Sequence, residues 1–374
     1  MKILLVGEFS NVHWTLAEGL RALGHDVTVV SDGDHWKGYP RDINLQRRDL
    51  NTVGTLRYLW DIACVWPTLR GYDVVQIINP IFLDLKAERM WPFYRFLRRH
   101  NKRMFLGAFG IDHYWVKVGM DCKTFRYSDF NFGSQLRDYP FLHTMEKEWL
   151  HGVKGELNKR IADDCDGIIS GLYEYEMCYR PFFAEKTRFI PFPINIKAVN
   201  PTEQVSAVYT NGEALRCFIG IQRSRSAYKG TDIMLAALER LQKDYGKEHV
   251  EIVKAESVPF AQYQEMMKSS HALLDQLYSY TPAMNGLLAM AKGLILIGGG
   301  EPEHYDLLGE QELRPIINVQ PTEQDVYDQI ATRLLAGKED IRQLQSDSIA
   351  YIRRHHDHIK VAQQYLDFWT TTQA

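Results

Sequence analysis

The chain has 374 residues, enough for two domains of ordinary size, and its 45% hydrophobic and 24% charged residues are typical of a globular protein with sizeable cores. A formal net charge of −3 disfavours the concentrated basic surface that broad nucleic-acid binding needs. Five scattered cysteines without a CxxC pair, no signal-peptide pattern and no uncharged run of about 20 residues predict a cytoplasmic protein without disulfides or membrane-spanning helices.

The first half of the chain alternates strands with helices. KILLV (2–6) is an apolar run that ends at Gly7, a helix with apolar spacing follows from Trp14 to Leu23, and DVTVVSD (26–32) is the next strand. A strand–helix–strand unit of this kind favours a parallel sheet. Further strands are predicted at 74–78, 103–109, 167–170 and 188–192.

The alternation restarts after about Glu203, behind the linker-like stretch PINIKAVNPTEQ. Thr322 and Asp325 form an N-cap pair before a helix, and a long helical stretch covers 339–371. Strands are predicted at 216–221, 250–255, 272–277, 294–298 and 315–319, with helices at 232–243 and near 260–269. The sequence thus predicts two α/β halves joined near 195–205.

The stretch YSYTPAMNGLLAMAKG (278–293) is predicted to be a short helix between two strands. Thr281 is placed to act as its N-cap, and Pro282 suits its first turn. The amides of Ala283 and Met284 would then be free at the helix N-terminus, where the dipole favours phosphate. The alternative is a buried helix with ordinary caps and no ligand.

Several motifs resemble those of GT-B glycosyltransferases, in particular the large retaining family 4. They are MKILLVGEF, LAEGLRALGHDVTVVSD and RFIPFPINI in the first half, and RSRSAYKGTDIMLAALERL, GLLAMAKGLILIGGGEPE and HIKVAQQYLDFW in the second. The resemblance implies two Rossmann-like α/β domains that face each other across a cleft, with a nucleotide-sugar donor on the second and an acceptor on the first. It places residues 1–200 and about 355–374 in the first domain, and 201–354 in the second.

The resemblance implies that Lys229 binds the donor diphosphate, where positive charge stabilises the leaving group. The arginine partner in the family lies five residues earlier, where this chain has Ser224. Either Arg223 or Arg225 must therefore replace it. A solvated basic loop is the alternative.

Both glutamates of the family motif are absent, because Tyr280 and Leu288 occupy their positions. The first glutamate is associated with the transferred sugar and the second with the donor ribose. The hydroxyls of Tyr280 and Thr281, together with Asn285, are candidates to replace the lost contacts to the sugar.

The sequence GGGEPE (298–303) follows the next predicted strand. Three glycines permit close backbone approach to a ligand. Glu303 matches the Pro-Glu position of the family and Glu301 lies close by, so either is a candidate for ribose recognition. A Gly-rich turn with two exposed acids is the alternative.

In the first half, Gly7 and Glu8 begin the loop before the first helix and His13 lies at its start, so this loop is expected to face the cleft. It lacks GxGxxG, so a dinucleotide cofactor is not expected. Asp112 and His113 follow the strand RMFLGAF. They are candidates for activating the acceptor hydroxyl or stabilising an oxocarbenium-like sugar. A capping Asp and a half-buried His are the alternative.

The histidine cluster RRHHDH (353–358) includes His355, His356 and His358, and a solvated helix face is favoured over a zinc site there. No metal cofactor is expected. The segment RMWPFYRFLRRHNKR (89–103) mixes basic and aromatic residues. It suits either peripheral contact with a membrane or an amphipathic helix packed on the sheet.

Taken with the resemblance, these residues predict a retaining glycosyltransferase that moves a sugar from a nucleoside-diphosphate donor to a saccharide or lipid-linked acceptor, in the cytoplasm or at the inner face of the membrane. Nucleic acid is not expected as a partner. A non-catalytic GT-B-like protein is one rival, supported by the missing glutamates. A sugar-nucleotide epimerase on the same architecture is another.

Overall fold

The computed structural model describes residues 1–198, 207–256 and 258–371. The strands are β1 (Lys2–Val6), β2 (Asp26–Ser31), β3 (Ile43–Asn44), β4 (Val74–Ile77), β5 (Arg103–Ala108), β6 (Asn131–Phe132), β7 (Gln135–Leu136), β8 (Gly167–Ser170), β9 (Thr187–Phe189), β10 (Leu215–Ile221), β11 (Val250–Glu256), β12 (Ala272–Asp275), β13 (Ile295–Gly298) and β14 (Ile317–Asn318).

The α-helices are α1 (Val12–Ala22), α2 (Thr52–Val65), α3 (Met90–His100), α4 (His113–Gly119), α5 (Pro140–Met145), α6 (Val153–Asp164), α7 (Tyr173–Phe183), α8 (Ser226–Lys229), α9 (Thr231–Tyr245), α10 (Phe260–Lys268), α11 (Met284–Ala291), α12 (Pro302–Leu308), α13 (Glu323–Gln329), α14 (Ile341–Tyr351) and α15 (His358–Thr371). Short 3₁₀ turns cover His35–Lys37, Trp66–Thr68, Ala87–Arg89, Ala184–Lys186 and Arg223–Arg225, and π-helical turns cover Glu146–Leu150, Ile330–Leu335 and Ile352–His356.

The described residues of Met1–Asp121, Leu142–Pro193 and His358–Ala374 form one compact unit. Its sheet has the strand order β3-β2-β1-β4-β5-β8-β9, and all neighbouring strands are parallel. Helices cover both faces of such a sheet, which is why β1, β4, β5 and β8 consist of almost wholly buried residues. Helix α15 packs on α1, where a side chain on Gly19 would clash with the carbonyl of His358.

The described residues of Cys122–Phe141 and Ile194–Asp357 form a second unit. Its parallel sheet has the order β11-β10-β12-β13-β14, and β6 and β7 form a small antiparallel hairpin. The hydrophobic core lies on β10, β12 and β13 and on α9, with Ile219, Leu274, Ile297 and Leu238 all buried. Apolar runs bounded by glycine therefore mark the buried strands in both units.

Two features differ from the sequence-based expectations. Residues 122–141 were placed in the first domain, but they belong to the second unit because they pack on its loops. The long helix predicted at 339–371 is interrupted, because Asp357 has extended ψ (120°) between a π-helical turn and α15. Thr322 does cap its helix, as predicted, and accepts a hydrogen bond from the amide of Asp325 (3.1 Å).

Candidate functional site

The second sheet has a topological switch point between β10 and β12, because β11 lies on the other side of β10. Loops that leave adjacent strands at such a point diverge and leave a crevice outside the carboxyl ends of the strands, which is where α/β sheets bind ligands. The chain after β10 carries the predicted cations, and the chain after β12 leads into α11. The amide of Leu277 donates to the carbonyl of Lys229 (3.0 Å) and joins the two connections.

The predicted cationic loop is helical rather than open. Arg223–Arg225 forms a 3₁₀ turn and Ser226–Lys229 forms α8. Arg223 is ion-paired with Glu256 at the end of β11. Within the described part of the chain, neither Arg225 nor Lys229 has an ion-pair partner. Neither side chain is therefore held in a direct ion pair, although the charge of Lys229 acts on the nearby carboxyl of Asp275.

An acid that the sequence analysis missed, Asp275, ends β12 at the same edge. Its side chain is buried, and burial raises the pKa of the carboxyl, opposed by the charge of Lys229 and a hydrogen bond with Asn285. The amide nitrogen of Asn285 also lies 3.0 Å from the hydroxyl of Tyr263. The sequence feature that could have identified Asp275 is its position at the carboxyl end of an otherwise apolar strand.

The helix after β12 begins later than predicted. Met284 is its first residue and Ala283, with extended backbone, is its N-cap. Thr281 is therefore not the N-cap and Pro282 precedes the helix. Thr281 is instead buried, and its amide donates to Ser279 Oγ (3.3 Å).

The free amides at the helix start are also displaced along the chain. Among the described residues, no acceptor is found for the N–H groups of Met284, Asn285 and Gly286, which form the first turn of α11. Of the two amides predicted to be free, that of Met284 belongs to this group. Ala283 is instead the N-cap of the helix. A helix start of this kind favours negative charge.

Tyr280, at the position of the first family glutamate, is 2% exposed. Its hydroxyl accepts a hydrogen bond from the amide of Arg126 (2.8 Å), and its ring packs beside Tyr127 with centroids 5.0 Å apart. The guanidinium of Arg126 lies 4.9 Å from the centre of the same ring. Tyr280 therefore holds the 122–141 segment and does not present its side chain to a sugar.

Glu301 and Glu303 are both bound by Arg126. The Glu301 side chain is 4% exposed and also accepts from the Tyr127 hydroxyl and from Gln320 (2.7 Å). Glu303 keeps 31% exposure, and its hydrogen bond with Arg126 lowers the pKa of its carboxyl. Of the two candidates for ribose recognition, Glu303 is the one with an accessible carboxylate.

The three glycines after β13 serve packing within the protein. A Cβ on Gly299 would lie 2.2 Å from the carbonyl oxygen of Ser279, and one on Gly298 would lie 2.2 Å from that of Asp275. The amide of Gly300 donates to Asn318 Oδ1 (3.0 Å). These residues let the connection after β12 lie directly against β13, which fixes the approach to α11.

In the first unit, Gly7, Glu8 and His13 lie where β1 meets α1. The carboxylate of Glu8 accepts hydrogen bonds from the amides of His13 (3.2 Å) and Trp14 (2.9 Å) and is 2% exposed. Burial raises the pKa of Glu8 to about 8. His13 is fully buried with Nδ1 2.8 Å from the Gly7 carbonyl, and burial lowers its pKa to about 3. These two side chains therefore stabilise the turn and do not face a ligand.

Asp112 caps α4, since it accepts from the amide of Trp115 (2.9 Å), and it also accepts from the Tyr179 hydroxyl (2.7 Å). It is fully buried, and burial raises its pKa to about 6. This geometry favours the capping role over a role as a base.

His113 is 7% exposed, and burial lowers the pKa of its imidazole. Its Nδ1 lies 2.8 Å from the carbonyl of Trp149. Because a carbonyl can only accept, Nδ1 must carry the proton and Nε2 is left with a lone pair.

The histidine cluster is not a solvated face. His356 and His358 are buried, and His355 Nε2 lies 2.7 Å from Glu310. Within the ranges that the structure describes, no group of three or more His, Cys, Asp or Glu side chains could hold a metal ion. Nor does any helix in those ranges have the length and apolar character needed to cross a bilayer.

No protein-family model matches the chain, and no curated protein is matched by sequence. Solved structures do match its fold over nearly the whole length. HepE from Anabaena, in complex with UDP and glucose, matches with a TM-score of 0.60 and 13% identity over 99% of this chain and 100% of that one.

Two further structures agree. The catalytic domain of starch synthase IV from Arabidopsis thaliana, bound to ADP and acarbose, matches with a TM-score of 0.56 and 11% identity over 100% of this chain and 99% of that chain. WaaG, a glycosyltransferase involved in lipopolysaccharide biosynthesis, matches with a TM-score of 0.55 and 11% identity over 99% of this chain and 100% of that chain. The chain has the GT-B fold. The GT-B architecture expected from the motifs is thereby confirmed, at sequence identities that carry the fold alone.

Proposed function

We propose that this GT-B protein is a glycosyltransferase that transfers a sugar from a nucleoside-diphosphate donor to a saccharide or lipid-linked acceptor, with retention of configuration. The observation that supports the proposal is the topology of the second sheet: Arg225 and Lys229 follow β10, and the free amides of α11 follow the neighbouring strand β12. Nucleoside diphosphates are bound in two of the matched structures, UDP in HepE and ADP in starch synthase IV.

The chemistry of the transfer explains why cations belong there. As the bond between the sugar and the β-phosphate oxygen breaks, negative charge accumulates on the diphosphate. Lys229 and Arg225 stabilise that charge, and the positive end of the α11 dipole adds to it without any side chain. The buried carboxyl of Asp275 holds Asn285 at the start of the same helix.

Further roles follow from the accessible groups. Glu303 binds the donor ribose through its partly exposed carboxylate. His113 accepts a hydrogen bond from a sugar hydroxyl through Nε2, and Asp112 positions it by capping α4. Arg223 is paired with Glu256, so we assign the diphosphate contact to Arg225, which has no such pair in the described part of the chain.

The test compares three matched variants: Lys229→Ala, Arg225→Ala and Arg223→Ala. Donors are found first by thermal shift with UDP-, ADP- and GDP-sugars, since ligand at a hundred times its Kd stabilises by about 2.7 kcal/mol. Release of the nucleoside diphosphate is then measured with saccharide acceptors.

A charged hydrogen bond contributes about 1.5–3 kcal/mol, so kcat/KM should fall by roughly 10–150-fold for Lys229→Ala. Arg223→Ala should stay within about threefold, since it removes an exposed ion pair.

Equal losses for Arg223→Ala and Lys229→Ala would contradict the assignment of the diphosphate site. Donor binding without release of nucleotide in the presence of acceptors identifies a non-catalytic protein. Interconversion of the sugar nucleotide without an acceptor identifies an epimerase.

A further inference from the structure

Helix α8 has only four residues, and its last residue is Lys229. A helix this short has little stability of its own, and its carbonyls need donors from outside the helix. The amide of Gly230 donates to the carbonyl of Ser226 (2.8 Å), and the amide of Leu277 donates to that of Lys229 (3.0 Å). Two carbonyls of α8 therefore depend on other donors.

Arg137 donates to both of these carbonyls. Its guanidinium is hydrogen-bonded to the carbonyl oxygens of Ala227 and of Tyr228, the latter at 3.2 Å. A cation at this end of a helix also lies at the negative end of the helix dipole. Two further bonds, to the carbonyls of Ser128 (3.4 Å) and Asp129 (3.1 Å), attach the arginine to its own segment. Each of the four carbonyls of α8 thus has a donor, and half of them depend on this one side chain.

The same guanidinium covers the ring of Tyr278, whose centre lies 3.4 Å away. Tyr278 in turn lies against the backbone that follows Lys229, because a Cβ on Gly230 would be 2.9 Å from its ring. Gly230 has a φ of +70°, which a glycine adopts without strain. The chain next to Lys229 is therefore packed on the ring that Arg137 covers.

Two aromatic residues of the same segment hold the side chain of Tyr228. Its ring packs edge to face on Phe141, with centroids 5.2 Å apart, and lies 6.4 Å from the ring of Tyr139. We call Arg137, Tyr139 and Phe141 the brace. The brace contacts α8 through two backbone carbonyls and one aromatic side chain.

We propose that Arg137 is a positioning residue for the donor diphosphate, which holds α8 so that Lys229 is fixed in place to bind it. The inference rests on the proposed function. Both terminal nitrogens of the guanidinium donate to protein carbonyls, so Arg137 acts through Lys229 and not by binding the ligand itself. Affinity for the donor is then set in part by residues that lie about 90 positions earlier in the chain.

A double-mutant cycle tests this role, with UDP, ADP and GDP as the ligands in isothermal titration calorimetry. Arg137→Ala should raise the Kd of the nucleoside diphosphate at least about fivefold, since it weakens a charged hydrogen bond. In the Lys229→Ala background the same change should alter the Kd by less than about twofold, because residues that act through one another are not additive. A residue that only stabilises the fold would give equal factors in both backgrounds.

Arg240→Ala is the matched control. Arg240 also lies over a tyrosine ring of the second unit, at 4.3 Å from the centre of Tyr327, but it belongs to α9 and α13 rather than to the brace. Its removal should leave the Kd unchanged. Arg137→Lys keeps the charge without the planar guanidinium and should raise the Kd less than Arg137→Ala does. If Arg137→Ala does not fold, the cycle is run with Arg137→Lys.

Hydrogen exchange of the Leu277 amide reads the position of α8 without any ligand, because that amide donates to the carbonyl of Lys229. Its exchange should accelerate at least about tenfold in Arg137→Ala and stay unchanged in Arg240→Ala. Unchanged exchange in Arg137→Ala, or equal changes in Kd in both backgrounds, would overturn the proposal. If the wild type binds none of the three diphosphates, the proposed function fails, and the diphosphate role of Arg137 fails with it even where exchange accelerates.

Discussion

The guanidinium of Arg137 lies 3.4 Å from the centre of the Tyr278 ring. The same group donates to the carbonyls of Ala227 and Tyr228, the latter at 3.2 Å. Ala227 and Tyr228 follow β10 and Tyr278 follows β12, so one side chain from the 122–141 segment joins both sides of the switch point. This segment is therefore part of the candidate donor site.

Replacement of Arg137 should loosen that junction. Arg137→Ala removes cation–π contacts with Tyr139 and Tyr278 and four hydrogen bonds to backbone carbonyls, and we expect a loss of about 1–3 kcal/mol in the free energy of unfolding. Amide exchange in the β6–β7 hairpin should accelerate by at least about tenfold, as measured by mass spectrometry. Arg137→Lys keeps the charge but lacks the planar guanidinium. Its free energy of unfolding and its exchange rates should lie between those of the wild type and of Arg137→Ala. Unchanged exchange in Arg137→Ala would show that other contacts hold the segment.

Glu301 and Glu303 share Arg126 but differ in burial, so their amide variants should differ in stability. Glu301→Gln leaves Arg126 without its buried counter-charge and places an NH₂ group among the donors Tyr127 and Gln320. We expect a loss of about 2–3 kcal/mol. Glu303→Gln is the control, with an expected loss below about 1 kcal/mol because its carboxylate is partly exposed. Urea unfolding measures both, and equal losses would contradict the difference in role.

Acid should destabilise the protein through its buried neutral histidines. Burial lowers the pKa of His13 and of His304 to about 3, from an ordinary value of 6.5. Between pH 3 and pH 6.5 the unfolded chain therefore binds more protons than the folded protein. The free energy of unfolding falls as the pH drops from about 6.5 towards 3. At pH 5 each of these buried neutral histidines lowers the free energy of unfolding by about 2 kcal/mol.

Unfolding titrations at several pH values check this expectation. His304 Nε2 lies 2.6 Å from the Tyr351 hydroxyl, and glutamine can replace that hydrogen bond. His304→Gln should therefore flatten the decline of the unfolding free energy between pH 6.5 and 5. Parallel curves for the variant and the wild type would assign the acid sensitivity to other groups.

Gly299 should be intolerant of a side chain for steric reasons. Gly299→Ala would place Cβ against the Ser279 carbonyl and push the connection after β12 away from β13. We expect a loss of more than about 2 kcal/mol and weaker donor binding, because the start of α11 would move. Gly309→Ala is the control, since a Cβ there meets open space and the positive φ of 69° costs about 1 kcal/mol. Similar losses in the two variants would contradict the steric argument, because they would show that the Ser279 carbonyl can move aside at little cost.

The fold was accessible from the sequence because strands buried on both faces are short apolar runs that end in glycine or polar residues. KILLV, GIIS and LILIG mark such strands. The interruption at Asp357 was not accessible, because helical spacing continues on both sides of it and a single ψ angle ends the helix.

The site was predicted in part. The cations and the helix start were identified by residue type and position, but their partners depend on contacts distant in sequence. Nothing local indicates that Glu256 holds Arg223 or that Arg126 binds Glu301 and Glu303. The β6–β7 hairpin has two-residue strands without periodicity, so its place in the second unit could not be predicted.

The Glu8 carboxylate at the start of α1 makes the two halves of the molecule unequal as anion receptors. Each half has a sheet whose strand order reverses, and each reversal has a helix beginning beside it. In the first half the buried carboxyl of Glu8 already accepts the amides of His13 and Trp14, so these N–H groups are occupied. The two helix starts therefore differ in their backbone amides: those at the start of α1 are occupied by Glu8, whereas those of the first turn of α11 have no acceptor among the described residues.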